Sequence, residues 1–460
     1  MRIEVQLSYF IDEISMGPFG SDIKVENFVD DGVPVLNGAN LLGYKLNDNS
    51  FNYVTPEKAK TFRKAIAKRG DVIITHRGTL GQICYVPENS KFEQYVISQS
   101  QFRVKFNEAK IDPRYIVYLF HTPYGQKKLL SFKSHVGVPA LAQATTNFKA
   151  LNILVHKLSD QKKIANVITA IEEKIELNNR INAELEQMAK TIYDYWFVQF
   201  DFPISAEYAA SIGEPELEGK PYKSSGGKMV WSGELRRVVP EGWEVKSIGE
   251  LGEISGGSTP SKEINEYFTK NGIPWITPKD LSLNTGNKFI TKGELDVSEL
   301  GLKSASLNVM PKGTVLLSSR APIGYIAISR EKVTTNQGFK SFIPTKGYTS
   351  EFIFYTLIHM LPTIENNAAG STFKEVSTST LKSIKTYLPS SELASKFTAK
   401  VKPIFERQDL LELENQKLTE LRDWLLPMLM NGQVRVGDVE EDGVVGMAAE
   451  TVGEFGNNKK

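Results

Sequence analysis

Two arginines, Arg77 and Arg320, stand at matched places in this chain. Arg77 lies in GDVIITHRGTLGQI, starting at Gly70, and Arg320 in GTVLLSSRAPIGYI, starting at Gly313. Each closes an apolar strand pattern just before a turn, with Thr75 or Ser319 close before it, where a side chain can project outward. A guanidinium in such a position pairs bidentately with a guanine edge or a phosphate, or forms an ion pair with a neighbouring carboxylate. Three further groups of residues have binding character. MGPFGSDIK (Met16 to Lys24) sets Gly17, Phe19, Gly20, Ser21 and Lys24 in a loop that can bring backbone N–H groups and a flat ring to another molecule; its counterpart SGGSTPSK (Ser255 to Lys262) has no ring. TTNFK (Thr145 to Lys149) and GSTFKE (Gly370 to Glu375) supply Asn147, Lys149, Thr372 and Lys374. GIPWITPKDL adds Thr277 and Lys279.

Catalytic patterns are missing from the sequence. The five histidines, His76, His121, His135, His156 and His359, are scattered without an i,i+4 pair or a zinc-site spacing. There is no G-x-x-x-x-G-K-[ST] phosphate loop and no G-x-S-x-G elbow. An amino-methyltransferase needs an Asn/Asp-Pro-Pro-Tyr/Phe tetrapeptide and a Gly-rich loop after a strand; the sequence offers neither. The expectation is a chain with no catalytic residue, no bound cofactor and no metal, whose work is binding.

The arginine motifs belong to a larger repetition. GVPVLNGANL at Gly32 returns as GIPWITPKDL at Gly272, and FKALN at Phe148 returns as LKSIK at Leu381. Order and spacing persist while the intervening sequence diverges, which indicates a tandem duplication of a whole domain plus a helix. The 460 residues therefore divide into two large units rather than one core. With 41% apolar residues, a mean hydropathy of −0.26 and no long apolar run, the composition is that of a globular protein without a membrane span. The start, MRIEVQLSYF, does not read as a secretion signal. A lone cysteine, Cys84, excludes an intrachain disulfide and fits a reducing cytoplasm. Net charge of +1 does not suggest a nucleic-acid partner by itself. Lys58, Lys60, Arg63, Lys64, Lys68 and Arg69 nonetheless form a basic run, read either as a solvated face or a phosphate contact.

The elements that position these residues follow from punctuation and period. Residues 1–158 read as short strands separated by Gly, Pro and Asn, with a helix over Pro113 to Leu130; residues 241–390 repeat the plan with a helix over Glu351 to Leu361. Residues 159–199 lack glycine and proline and carry a seam through Ile164, Ile168, Ile171, Ile175, Asn178, Asn182, Leu185, Ala189, Ile192 and Trp196. The offset of the repeat selects a second seam in 391–433, from Phe397 to Leu425, with Asn415 equivalent to Asn182. The fold class is thus α+β: two similar mixed α/β domains in tandem, separated by two long helices that pair as an antiparallel coiled coil. Asn182 and Asn415 are expected to fix register, and Pro403 to bend or delay the second helix. Residues 200–240 read as a linker, with SSGG as its signal, and 434–460 as a flexible acidic tail. Tyr193, Tyr195, Trp196, Phe197, Trp424 and Leu425 exceed what one seam can bury, so some of them are expected to face a partner.

Taken together, the chain resembles the DNA-specificity (S) subunit of type I restriction-modification systems. The resemblance runs from ISMGPFGSDI through Gln433 and is most specific at the centre: FDFP at Phe200, GKPYKSSGGKMVW at Gly219 and VPEGWEVKSIGEL at Val239. YDYWFVQFDFP and LRDWLLPMLMNGQV, which end the two helices, are equally characteristic. The resemblance implies two target-recognition domains, each reading one half of a split, asymmetric double-stranded DNA sequence, with the helices as a ruler for the gap. It implies partners, two methylation (M) subunits and restriction (R) subunits, which bring S-adenosylmethionine, ATP and Mg; this chain would bind none of these. Two other readings compatible with the residues are a specificity subunit whose methylation and cleavage partner is one fused chain, and a stand-alone two-site DNA-binding regulator.

Overall fold

In the computed structural model the described residues are 2–18, 22–134, 138–320, 322–370 and 374–437. They group into two units, one built from 1–175 with 417–460, the other from 176–416. Expectations that fall on Phe19, Gly20, Ser21, His135, Thr372 and the acidic stretch from Asp438 lie outside the described residues.

In the first unit, β1 (Ile3–Gln6) leads into β2 (Ile11–Met16), followed by β3 (Val72–Thr75), β4 (Ile83–Tyr85) and β5 (Gln101–Phe106). The order across the sheet is β2-β5-β3-β4, with antiparallel pairing throughout. Strands β3 and β4 are buried along their whole length because α1 (Pro113–His121) covers one face and a second, five-stranded sheet lies nearby in the same unit. The helix expected over Pro113 to Leu130 is two helices. Pro123 forces Thr122 into extended backbone, and the Thr122 hydroxyl then caps a new helix, Pro123–Leu129. After α2 (Ala144–Ala150), β6 (Asn152–Val155) returns to pair with β1 and α3 (Leu158–Tyr193) begins.

The second unit repeats this plan. β7 (Glu244–Ser247) and β8 (Glu253–Gly256) precede α4 (Pro278–Leu283), β9 (Phe289–Ile290), β10 (Val315–Leu317), β11 (Ile326–Ser329) and β12 (Lys340–Ile343). Their sheet runs β8-β12-β10-β11-β9, the order of the first unit plus one parallel edge strand. Then come α5 (Ser350–Asn366), β13 (Lys385–Leu388), which pairs with β7, and α6 (Ser391–Asn431).

Helix α6 starts at Ser391 and passes through Pro403 and Pro427, so Pro403 does not delay it. An interior proline costs about 3 kcal/mol. Burial of Ala394, Phe397, Val401 and Phe405 on the same face as the preceding and following turns offsets that cost. Pro362 is likewise inside α5, which extends past the expected end at Leu361.

The two long helices run antiparallel. In the second unit Tyr193 packs on Phe397, and Asn178 donates to Asn415 Oδ1 at 2.9 Å. In the first unit Glu172 meets Arg422 at 2.7 Å, and Ile164 and Ile168 share a core with Leu425, Leu429 and Met430. Of the two seam asparagines expected to fix register, Asn415 bonds Asn178 and Asn179 across the pair, whereas the Asn182 side-chain oxygen has no partner among the described residues and only its backbone carbonyl accepts Gln408 Nε2, at 3.2 Å.

Residues 200–240 are packed rather than a free linker. Phe200, Phe202, Ile204 and Tyr222 are buried in the core of the second unit, and Asp201 accepts from the Ser224 amide and hydroxyl at 2.7 and 2.8 Å, which ties down SSGG. Phe202 stacks between Tyr222 and Trp243 at 4.7 and 5.5 Å, and the Arg237 guanidinium lies over the rings of Phe200 and Tyr387 at 5.0 and 4.8 Å. The central sequence signature is therefore an aromatic packing unit.

Candidate nucleic-acid interface

In the first unit the candidate residues gather at one end of the β2-β5-β3-β4 sheet. β3 ends at buried Thr75, whose hydroxyl donates to Gln82 Oε1 at 3.1 Å. The chain then leaves the sheet through His76 and Arg77 and turns at Gly78 and Gly81, whose φ of 86° and 91° favour glycine. Arg77 forms a backbone bridge with Ala140, and the Gly78 amide donates to Pro139 O at 2.9 Å. Its guanidinium is exposed and makes no hydrogen bond or ion pair among the described residues. Segment 139–142 in turn accepts Asn147 Nδ2 at Ala142 O, 2.6 Å, and Lys149 is exposed on the same helix, α2.

The loop 98–101 completes this edge. Gly17 donates to Gln101 O at 2.9 Å, and its backbone lies so close to the loop that a Cβ would sit 1.9 Å from Ser98 O. The His76 amide bonds Ser100 O at 2.8 Å and its Nε2 lies 3.1 Å from Gln99 O. Burial lowers the His76 pKa and neighbouring Arg77 lowers it further, so the ring is neutral near pH 7 and can donate from Nε2 to that carbonyl. Gly17, Thr75, Arg77 and Asn147 are thus joined through a single set of loops. Lys24 instead pairs with Glu26 at 3.5 Å. Lys60, Arg63, Lys64, Lys68 and Arg69 of the basic run are exposed, and Arg69 Nη2 donates to Ser90 O at 3.1 Å.

The second unit presents the same edge with different chemistry. Beyond β10, Ser318 and Ser319 are fully buried, and the Ser319 hydroxyl has no partner among the described residues. Arg320 bridges the backbone of Glu375 as Arg77 bridges Ala140, and its Nε also lies 3.0 Å from Glu375 Oε2. Lys340 on β12 approaches the same carboxylate at 3.6 Å, and Lys374 beside it is exposed. The loop 335–338 occupies the place of 98–101: Ser319 N donates to Gly338 O at 2.7 Å and Asn336 N to Ile276 O at 3.2 Å.

Thr277 and Lys279 are less available than sequence suggests. Thr277 is the N-cap of α4, in a reciprocal box with Asp280, to which its hydroxyl donates at 2.6 Å. Lys279 pairs with Glu294 at 2.7 Å, both well exposed. Residues that sequence reasoning did not single out are Glu375, Lys340 and Gln99, the last matched in the second unit by Gln337, which accepts from the Thr259 hydroxyl. A usable signal was present, since both loops carry a glutamine shortly before the strand that follows, within the repeat.

The six helix-end residues divide by burial. Tyr193, Trp196, Phe197 and Leu425 are buried within this chain; Tyr193 donates to Thr356 Oγ1 at 3.2 Å, and Phe197 packs edge-on against Phe352 at 5.0 Å. Tyr195 and Trp424 are 38% and 56% exposed and are the two that remain on the surface. Among the described residues no cluster of His, Cys, Asp and Glu has the arrangement of a metal site, and no helix is long and apolar enough to cross a membrane. Cys84 is buried, and burial pushes its thiol pKa up, away from the reactive thiolate.

Comparison with known proteins bears on this architecture directly. The HindI specificity subunit of Haemophilus influenzae is 29% identical over 415 residues, covering 81% of this chain and 88% of that one. The MjaIX specificity subunit of Methanocaldococcus jannaschii is 41% identical over 210 residues, and that match spans 44% of this chain and 48% of the relative. The crystal structure of a type I restriction-modification S subunit from M. genitalium superposes with a TM-score of 0.58 at 15% identity, covering 94% of this chain and 96% of that one, a likeness of fold. The family model described as the type I restriction modification DNA specificity domain matches twice, over residues 30–187 and 240–422. With both repeats matched, over more than half of its length, the chain belongs to the type I restriction-modification DNA specificity family.

Proposed function

We propose that this chain reads a bipartite, asymmetric double-stranded DNA sequence, one half with each repeat, and directs adenine N6 methylation and ATP-dependent cleavage carried out by partner subunits. The observation that carries the reading is the strand-end arginine, displayed at the same backbone bridge in both units. Arginine forks match the O6 and N7 of guanine, while lysines such as Lys149 and Lys374 suit phosphate. Phosphate contacts supply affinity and salt dependence; base-edge contacts supply sequence.

The antiparallel helices hold the gap between half-sites. Two methylation subunits and restriction subunits bind the assembly, with Tyr195 and Trp424 as the aromatic surface offered to them. S-adenosylmethionine, ATP and Mg belong to those subunits, and the complex works in the cytoplasm. The deciding experiment is genome-wide mapping of N6-methyladenine in cells that co-express this chain with its methylation subunit. A single bipartite motif with a fixed gap, absent without the chain, is the expected result; an assembled, methyl-donor-binding complex that produces no chain-dependent motif refutes the reading.

A further inference from the structure

Lys288 is placed where lysine is rarely found. It immediately precedes β9 and its side chain is only 3% exposed. Its ammonium reaches both long helices: Glu186 Oε2 of α3 at 2.6 Å and Gln408 Oε1 of α6 at 2.8 Å. It also donates to Tyr355 Oη of α5 at 3.0 Å and sits 3.7 Å from the centroid of Phe405. The partners bond one another. Tyr355 donates to Glu186 Oε1 at 3.1 Å, and Gln408 Nε2 contacts Glu186 Oε2 and the Asn182 carbonyl, each at 3.2 Å.

The adjoining backbone is fixed too. Glu412 accepts the amides of Lys288 and Phe289 at 2.7 and 3.1 Å, and Arg330 beyond β11 clasps Glu412 and Asp409 at 2.8 and 2.5 Å. Desolvation opposes charge at Lys288, yet Glu186 favours it. A buried ionic group is weak evidence for stability but a strong constraint on geometry, because a slip of an ångström breaks every bond at once. In the first unit Arg422 of α6 pairs with Glu172 of α3, over the Tyr44 ring at 5.4 Å.

We propose that Lys288 is a positioning residue for gap length, fixing the second recognition domain at one register on the helix pair. This rests on the DNA-reading function above. A gap changed by one base pair moves a half-site by about 3.4 Å along the DNA and rotates it by about a tenth of a turn. Contacts of 2.6 and 2.8 Å to the two long helices do not survive such a shift, whereas the apolar contacts around them can slide.

The test is N6-methyladenine mapping in cells expressing the full chain, or its K288M variant, with the native methylation subunits. The parent gives one gap. K288M keeps both half-sites but adds gaps one base pair longer or shorter, at no less than about a tenth of the parent-gap level, a preference reduced to about 1.4 kcal/mol. A purely structural role lowers all methylation together and leaves the gap single. If K288M fails to accumulate, E186Q decides, since Glu186 is partly exposed and its amide keeps the size; it too must broaden the gap. A parent motif whose gap the folded variant leaves unchanged overturns this inference alone. A parent chain that directs no bipartite motif overturns the DNA-reading function, and this inference with it.

Discussion

Replacing Arg77 and Arg320 by alanine separates base reading from phosphate binding, and the structure sets different magnitudes for the two. Arg77 has no ion pair to give up among the described residues, so its contact is lost in full. A bidentate guanine contact is worth about 1–3 kcal/mol, about fivefold to somewhat over a hundredfold in affinity, confined to one base position. Arg320 must first leave Glu375, at 3.0 Å with both side chains partly exposed. An ion pair of that kind is worth about 0–1 kcal/mol, so the net loss in R320A is smaller by that amount. Glu375→Gln frees Arg320 and removes a negative charge from the edge, so it raises affinity by up to about 1 kcal/mol at low salt, less at high salt. The assay is competition binding of the methyltransferase complex to a duplex panel with every single-base change in each half-site, repeated across salt concentrations. The base-reading argument is refuted if R77A weakens all duplexes equally and reduces the salt slope by about one, the mark of a phosphate contact. If E375Q weakens binding, Glu375 orients Arg320 rather than competing for it.

Three further outcomes follow from burial. Trp424→Ala leaves the melting temperature nearly unchanged but weakens assembly with the methylation subunits, measured by co-purification; Trp196→Ala loses about 3–5 kcal/mol of stability because its ring is buried, and assembly loss beyond that is not expected. Gly17→Ala forces a Cβ to 1.9 Å from a backbone oxygen and costs about 1–3 kcal/mol in thermal unfolding; an unchanged melting temperature contradicts that packing. His121, His156 and His359 have pKa values lowered by burial below the ordinary 6.5, so the unfolded chain takes up these protons first. Their stabilising effect is full above about pH 6.5 and is lost as pH falls through the depressed folded values. His121→Gln, which can keep the 2.8 Å bond to Ile83 O, flattens part of that acid loss; an identical pH profile in the variant argues against it.

The fold was legible because its determinants are periodic. Strands around Val72–Thr75 and Val315–Leu317, and helices over Leu158–Tyr193 and Ser391–Asn431, sit where apolar period and punctuation placed them. Proline misled twice, in opposite directions. Pro123 broke a helix that looked continuous, and Pro403 did not delay one because Phe397, Val401 and Phe405 are buried around it. Local propensity yields where enough area is buried and prevails where a cap such as Thr122 is at hand. The SSGG segment reads as a linker because nothing local shows that Asp201, more than twenty residues away, holds Ser224.

The site was half legible for a related reason. A repeat marks which positions correspond, but not which of them touch. In an antiparallel pair, residue numbers rise along one helix as they fall along the other, so equivalent residues face each other at one level only. Asn182 and Asn415 are equivalent by offset, yet Asn415 meets Asn178 and Asn179 while Asn182 gives only its backbone carbonyl to Gln408. Similarly, Arg77 and Arg320 occupy one backbone position, but the first is unpaired among the described residues and the second is held by Glu375, which belongs to a loop some fifty residues away in sequence. Duplication preserved the scaffold that presents an arginine at each sheet edge. What each arginine is free to do was set afterwards by its neighbours, and it is those neighbours, Glu375 and Lys340 on one side and the 98–101 loop on the other, whose exchange should change what each half of the chain reads.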